Sequence, residues 1–177
     1  MSAVLAACVV CGCGEVRQTA DGRDARRPGE AVKASSFGFD AADSTALLQA
    51  AIDSRVPELI IDKMSAPWTV TPLRGVSDQT LRLEPGAVVQ AKEGAFQDQS
   101  DILLTFASCT NVTLVGGEGS ALRMRRGDYH DKAKYKWSEW RHAVSLLSAV
   151  NVRIENLTIA ESGGDGLYLG IDWRHQN

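Results

Sequence analysis

The chain has 177 residues, with 19 Lys and Arg against 22 Asp and Glu and a net charge of −3. This length is enough for one domain with a full hydrophobic core. The slightly negative charge argues against a nucleic-acid partner. A content of 44% hydrophobic and 23% charged residues excludes a disordered chain. No apolar run reaches the roughly 18 to 20 residues that a membrane-spanning helix needs.

Residues 1–14, MSAVLAACVVCGCG, form an apolar leader without charge. Its length is that of the apolar part of a secretory signal. Leu5-Ala6-Ala7-Cys8 has the form of a bacterial lipobox, which makes Cys8 the candidate for lipidation and for a lipid anchor. We therefore expect an exported protein that is periplasmic, extracellular or a membrane-anchored lipoprotein. The alternative is a hydrophobic N-terminal strand with reduced cysteines.

Residues 15–34 are polar and predict a linker, which places the folded domain at residues 35–177. Three of the four cysteines lie in the leader, at Cys8, Cys11 and Cys13. No second cluster of ligands follows them at a zinc-site spacing, so the sequence predicts no metal site. Cys109 stands alone, and we expect it to be a small buried apolar residue.

One helix is predicted, over residues 44–54, because Leu47 and Ala51, like Leu48 and Ile52, are four residues apart. Asp43 or Ser44 can cap its start. Short β-strands separated by turns follow it. Their apolar centres lie at residues 59–61, 68–70, 81–83, 87–89, 102–106, 112–114, 121–122, 144–147, 152–154, 157–159 and 167–169.

An internal repeat runs through the second half of the chain. Residues 102–114, ILLTFASCTNVTL, align with residues 142–154, HAVSLLSAVNVRI, and this alignment matches Asn111 with Asn151. A repeat of short strands is typical of a solenoid, in which each unit buries its apolar face against the next. Asn tolerates the left-handed backbone of a tight bend, and stacked Asn amides can bond along the axis. The sequence thus predicts an all-β fold, a single-stranded parallel β-helix.

The segment from Phe37 to Asp53, FGFDAADSTALLQAAID, resembles the opening of the pectate-lyase superfamily of right-handed parallel β-helices. Residues 151–159 and 162–169 resemble the coil signature of that family. The resemblance covers about residues 35–170 and implies that the helix caps the first coil. It also implies extracellular or periplasmic action on polysaccharides, as in polygalacturonases, rhamnogalacturonases, pectate lyases and uronan epimerases. Helices of this family usually have many coils, so we expect the chain to be the N-terminal portion of a longer protein.

The catalytic residues of the family cannot be transferred, because the Asn-Thr-Asp, Asp-Asp, His-Gly and Arg-x-Lys motifs of polygalacturonases are missing. The sequence therefore leaves the catalytic residues unknown, with Asp165 in the turn Gly163-Gly164-Asp165-Gly166 as a weak candidate. A structural turn residue is the alternative for Asp165. No cofactor is evident, although Ca²⁺ is a possibility if the reaction is that of a lyase.

Residues 125–141, RRGDYHDKAKYKWSEWR, lengthen the repeat and hold four of the seven Trp and Tyr residues. Aromatic faces can stack on sugars, while Arg and Lys bind carboxylates. The alternative is a solvated loop whose Trp residues clamp it to the solenoid. The substrate-binding candidates are Tyr129, Tyr135, Trp137, Trp140 and Arg141 of this loop, together with Tyr168.

The sequence favours an exported polysaccharide-active protein, part of a glycoside hydrolase or polysaccharide lyase that acts on a pectin-like or other uronate-containing glycan. The alternative is a non-catalytic β-helix that binds glycans or forms a surface or spike-like module. An epimerase is a third and weaker hypothesis. The predicted partner is a polysaccharide, and the oligomeric state is left open.

Overall fold

A computed structural model describes residues 31–172. The predicted leader, its Cys8 and most of the predicted linker lie outside these residues. The described chain contains one α-helix, α1 (Thr45–Asp53), and two short 3₁₀ helices, Ala34–Phe37 and Asp128–His130. The strands are β1 (Val32–Lys33), β2 (Glu58–Ile61), β3 (Trp68–Val70), β4 (Leu73–Arg74), β5 (Gln79–Leu83), β6 (Val88–Ala91), β7 (Leu104–Ala107), β8 (Thr110–Gly116), β9 (Ala121–Arg123), β10 (Val144–Leu147), β11 (Val150–Glu155), β12 (Thr158–Ala160) and β13 (Leu167–Gly170).

The strands form three parallel sheets. The first sheet has the order β1-β2-β5-β8-β11, the second β3-β6-β9-β12 and the third β4-β7-β10-β13. From β2 onward the chain visits the first, second and third sheets in turn, and it does so four times. Each round is one coil, and each coil stacks on the one before it. The fold is therefore the parallel β-helix that the sequence predicts.

The 40-residue repeat is the spacing between the third and fourth rounds of the first sheet. Val152 pairs with Val112, and Ile154 pairs with Leu114. In the third sheet the same offset pairs Val144 with Leu104. The aligned segments thus lie side by side in consecutive coils, which confirms the repeat predicted from the sequence.

The core consists of inward side chains that stack from coil to coil. In the first sheet Leu59, Leu81 and Leu114 are register partners in consecutive coils, and all three are buried. A continuous apolar column of this kind is the main stabilising feature of a solenoid, because one coil alone cannot bury its inner face. Cys109 is also buried, as expected, and burial raises the pKa of its thiol.

A ladder of polar side chains stabilises one bend of the solenoid. Asp78, Asn111 and Asn151 all have a left-handed backbone, with φ of 59°, 55° and 55°. The Asn151 amide donates to Asn111 Oδ1 at 2.7 Å, and the Asn111 amide donates to Asp78 Oδ1 at 2.7 Å. Short polar side chains tolerate this conformation better than other non-Gly residues. The predicted role of the matched Asn pair is confirmed, and Asp78 extends it by one coil.

Helix α1 covers the end of the solenoid at the first coil. Its buried face consists of Leu48, Ala51 and Ile52, and the helix packs against β3 and β4. Asp43 caps its start, since the Asp43 carboxylate accepts the N–H of Thr45 at 3.0 Å. The Ser44 hydroxyl instead bonds Asp40. Ser44 is therefore not the side-chain cap.

Two strands were not predicted, β1 and β4, and each has only two residues. β1 pairs with β2 and lies within the range assigned to the polar linker, so the solenoid already includes Val32.

At the opposite end of the solenoid, four apolar residues of the fourth coil are exposed, namely Val150, Leu167, Leu169 and Ile171. In the described chain no further coil covers them. None of its helices is long and apolar enough to cross a membrane.

Candidate functional site

The segment 125–141 connects β9 to β10 on the outside of the third coil. Its aromatic and cationic residues fall into two groups that the sequence does not distinguish. Tyr135 and Arg141 are 3% and 1% exposed, whereas Trp137 and Trp140 are 76% and 52% exposed. One group thus anchors the loop to the solenoid, and the other faces outward.

Arg141 is the main anchor. Its Nε donates to the carbonyl oxygens of Phe96 at 2.9 Å and Asp98 at 3.0 Å. Its Nη2 donates to those of Gln97 at 3.1 Å and Lys136 at 2.9 Å. A glycan on the outer surface could replace these bonds only by displacing the 96–98 segment. The Arg141 guanidinium is thus buried and holds backbone carbonyls, so Arg141 is not exposed on the outer surface of the loop.

The two tyrosines of the loop pack around this guanidinium. The Tyr135 hydroxyl donates to the Ala95 carbonyl at 3.1 Å, and the Tyr135 ring contacts the Tyr129 ring edge to face at 5.3 Å between centroids. The guanidinium carbon lies 5.4 Å from the Tyr129 centroid and 5.6 Å from that of Tyr135. Tyr135 is therefore also an anchor rather than an exposed stacking platform. The expected clamp exists, but Tyr135 and Arg141 form it instead of the Trp residues.

Trp140 leads from the loop to a second aromatic cluster on the third sheet. Its ring meets the rings of His142 and Tyr168 edge to face, at centroid distances of 6.0 Å and 5.9 Å. Tyr168 lies on β13 and stacks on His142 with centroids 4.5 Å apart and planes 4° apart. The structure thus brings together two of the predicted sugar-binding residues, Trp140 and Tyr168. We call Trp140, His142 and Tyr168 the aromatic cluster.

His142 supports this cluster from the interior, where it is 3% exposed. Its Nδ1 accepts the backbone N–H of Asp165 at 2.9 Å. An Nδ1 that accepts a hydrogen bond carries no proton, so the neutral ring holds its proton on Nε2. Burial lowers the pKa of His142, and the nearby Asp165 carboxylate opposes that effect. His142 is therefore neutral at pH 7, and its ring provides a rigid flat surface on which Tyr168 stacks.

Asp165 presents its carboxylate beside the aromatic cluster. The side chain is 68% exposed, and Oδ2 lies 3.8 Å from His142 Nδ1. The turn before it passes very close to the loop: a Cβ on Gly164 would lie 2.0 Å from the Glu139 carbonyl oxygen. Glycine at 164 therefore permits the approach that lets the Asp165 N–H reach His142. Both expectations for Asp165 fit this geometry, because the backbone forms the turn and the carboxylate is available.

A groove of about 560 Å³ lies along the outer face of the third sheet. Arg74, Asp101, Thr105 and Asp172 are among its lining residues. The register places Arg74, Thr105, Ser145 and Tyr168 in one row across the four strands. At the spacing of β-strands, this row is about 14 Å long. The groove and the aromatic cluster thus lie on the same sheet face, separated by β10, where Ser145 is buried.

The sequence did not single out Arg74 or Asp101, and it gave Asp172 no role. Arg74 and Asp101 lie in different coils, and only the coil register brings them to one groove. In residues 31–172, no three His, Cys, Asp or Glu side chains are placed so that they could share a metal ion.

Comparison with known proteins finds no family model and no curated protein that matches the chain. Several solved structures are similar, including the two that follow. A protein of Parabacteroides merdae ATCC 43184, provisionally assigned as a glycosyl hydrolase, matches with a TM-score of 0.61 and 16% identity over 80% of this chain and 71% of that one. An iota-carrageenase in complex with iota-carrageenan fragments matches with a TM-score of 0.57 and 16% identity, over 73% of this chain and 29% of the carrageenase. At such identities the likeness establishes the fold, and the chain is a parallel β-helix.

Proposed function

We propose that the chain is part of an exported polysaccharide-active protein of the pectate-lyase superfamily type, and that it binds its glycan along the outer face of the third sheet. The observation that carries the proposal is the half-exposed Trp140, which meets Tyr168 edge to face on the sheet face that also holds the groove. Exposed aromatic side chains on a rigid scaffold provide apolar area for a ligand at little entropic cost. Both similar structures are named as proteins that act on glycans, which supports the proposal.

The proposed substrate is a pectin-like or other uronate-containing polysaccharide, and the proposed reaction is hydrolysis or elimination. Asp165 is the proposed acid or base because its carboxylate is exposed beside the aromatic cluster. Extension of the β7–β10–β13 register aligns Asp165 with Ile102 two strands away, so Asp101 is one residue out of register with Asp165. A glycoside hydrolase needs a pair of carboxylates, and residues 31–172 do not supply an evident partner for Asp165.

A non-catalytic glycan-binding module is the second candidate. The observation that favours it is that, within residues 31–172, no second carboxylate is hydrogen-bonded to the exposed Asp165 carboxylate, whose ionic contact is with His142. The two candidates share the binding face and differ only in whether glycosidic bonds are broken. Binding and turnover therefore have to be measured separately.

The binding face is tested by Trp140→Ala. We expect this change to weaken retention of a bound polysaccharide about tenfold, the usual loss when a central aromatic contact is removed. Affinity electrophoresis through gels that contain polygalacturonate, iota-carrageenan or neutral dextran measures the retention. The melting temperature should change little, because Trp140 is half-exposed. Equal retention of Trp140→Ala and wild type on every retaining glycan would contradict the proposed binding face.

Turnover is tested by Asp165→Asn, which keeps the size and the backbone bond to His142 but removes the carboxylate. If Asp165 is the acid or base, the rate of reducing-end formation, or of unsaturated product formation, should fall about 10²- to 10⁴-fold. Glu161→Gln is the matched control, since Glu161 is an exposed carboxylate four residues away. A wild type that binds glycan but releases no product would favour the non-catalytic module.

A further inference from the structure

A cavity of about 290 Å³ lies within the 126–141 segment and the adjoining turn, apart from the groove of the third sheet. Nine residues line it, and none of them is Asp or Glu. Arg126, Lys132 and Arg141 contribute three permanent positive charges, while Tyr129 and Trp137 contribute aromatic surface. We call this the cationic cavity. Its lining is unusual for a chain whose net charge is −3.

The floor of the cavity is the buried Arg141. Its four hydrogen bonds all go to backbone carbonyls, and no carboxylate of residues 31–172 lies within ion-pair distance of it. Only Nε and Nη2 make these bonds, which leaves Nη1 without a hydrogen bond to the described chain. Buried charges are normally paired with an opposite charge, because desolvation of a lone ion is costly. The cavity therefore holds a buried cation whose charge is not neutralised.

The rim and wall provide further unused donors. Arg126 and Lys132 are exposed, and neither forms an ion pair or a side-chain hydrogen bond with the part of the chain that the structure describes. The buried Tyr129 hydroxyl makes no hydrogen bond there either. Burial raises the pKa of Tyr129 to about 12, so the hydroxyl keeps its proton at neutral pH. Two acids of this segment are held by other cations, Asp128 by Arg125 and Asp131 by Lys134.

These observations have one common consequence. Guanidinium, ammonium and phenol groups are all donors, and a guanidinium is shaped to bind a planar or tetrahedral oxyanion. We propose that the cationic cavity binds an oxyanion substituent of a glycan, a uronate carboxylate or a sulfate ester, with the sugar ring held near Trp137. This inference rests on the proposed function, and it adds an anion-specific subsite outside the groove of the third sheet.

The test compares two double variants of the full chain that have equal net charge. Arg126→Gln/Lys132→Gln removes the two exposed rim cations. Lys134→Gln/Lys136→Gln removes two exposed cations of the same segment that do not line the cavity. Affinity for polygalacturonate, iota-carrageenan fragments and neutral dextran is measured by calorimetric titration at one fixed ionic strength. Polygalacturonate reports a carboxylate subsite, and the carrageenan fragments report a sulfate subsite.

We expect the rim variant to lose about tenfold or more in affinity for one of the two anionic glycans, and the control to lose about twofold or less. Binding of neutral dextran should be the same in both variants. Equal losses in both variants would reveal only general electrostatic attraction and would overturn the subsite. Affinity of the rim variant equal to wild type would overturn it as well.

If the proposed function itself is wrong, no polysaccharide, charged or neutral, binds to the wild type. This result differs from the ones that overturn only the subsite. A second measurement addresses the cavity without any polymer. Galacturonate, galactose 6-sulfate and galactose are titrated separately while the ¹⁵N resonance of Arg141 Nε is followed. The subsite predicts a saturable shift with at least one of the two anionic sugars and none with galactose. Identical spectra with all three sugars would refute the subsite.

Discussion

Leu48→Asp should unfold the domain at room temperature. Leu48 has no exposed surface, and it belongs to the face of α1 that covers the first coil. The change removes a buried leucine, which costs about 2–5 kcal/mol, and it places a carboxylate without a partner in an apolar site, which costs several kcal/mol more. Their sum is comparable to the whole stability of a typical domain, about 5–15 kcal/mol.

The measurement is thermal unfolding followed by circular dichroism. Ala46→Asp is the matched control, because Ala46 is exposed in the first turn of the same helix. A negative charge near a helix N-terminus is stabilising, so this variant should melt within a few degrees of the wild type. A Leu48→Asp variant that melts like the control would show that α1 is not the cap on which the solenoid depends.

Arg141→Met has the second largest expected effect. Methionine retains the apolar part of the side chain but gives up four hydrogen bonds to the carbonyls of Phe96, Gln97, Asp98 and Lys136. Carbonyls left without partners in a buried site cost about 1–3 kcal/mol each, less where water can enter. We therefore expect the 126–140 segment to detach and the melting temperature to fall by at least about 5 °C.

Limited proteolysis measures this detachment directly, since the segment contains exposed Lys residues at 132, 134 and 136. Trypsin should cleave the Arg141→Met variant in this segment at least about tenfold faster than the wild type. Trp137→Ala is the control, because Trp137 is 76% exposed and should not affect the cleavage rate. Faster cleavage in Trp137→Ala and unchanged cleavage in Arg141→Met would show that tryptophan, and not Arg141, holds the segment against the solenoid.

Much of the fold was predictable because its determinants are local and repeated. The matched Asn111 and Asn151, 40 residues apart, identify one bend of two successive coils, and the structure places them in hydrogen-bond contact. Strands β1 and β4 were not predictable from periodicity, since two residues are too few to show an alternating pattern. They became strands because neighbouring coils offer unpaired backbone groups.

The residue types of the candidate site were predictable from the sequence, but the directions of their side chains were not. The loop sequence shows that aromatic and cationic residues are concentrated at 125–141. It does not show that Tyr135 and Arg141 turn inward to the 95–98 segment while Trp137 and Trp140 face solvent. Those directions depend on carbonyls that lie about 40 positions earlier in the chain. Arg74 and Asp101 were missed for the same reason, because only stacking of the coils brings them to one groove.

The central claim is that a glycan stacks on Trp140, and tryptophan fluorescence tests it most directly. Among the described tryptophans Trp68 is fully buried, so Trp137 and Trp140 are the ones that a ligand can reach. Titration with the polysaccharide that binds the wild type should shift its emission to shorter wavelength in a saturable way. Trp140→Phe should lose the part of the shift that Trp140 contributes and keep at most the part due to Trp137 at the cationic cavity, whereas Trp137→Phe should keep the Trp140 part. A shift of wild-type size in Trp140→Phe, or a wild type that binds glycan without any change in emission, would contradict stacking on Trp140.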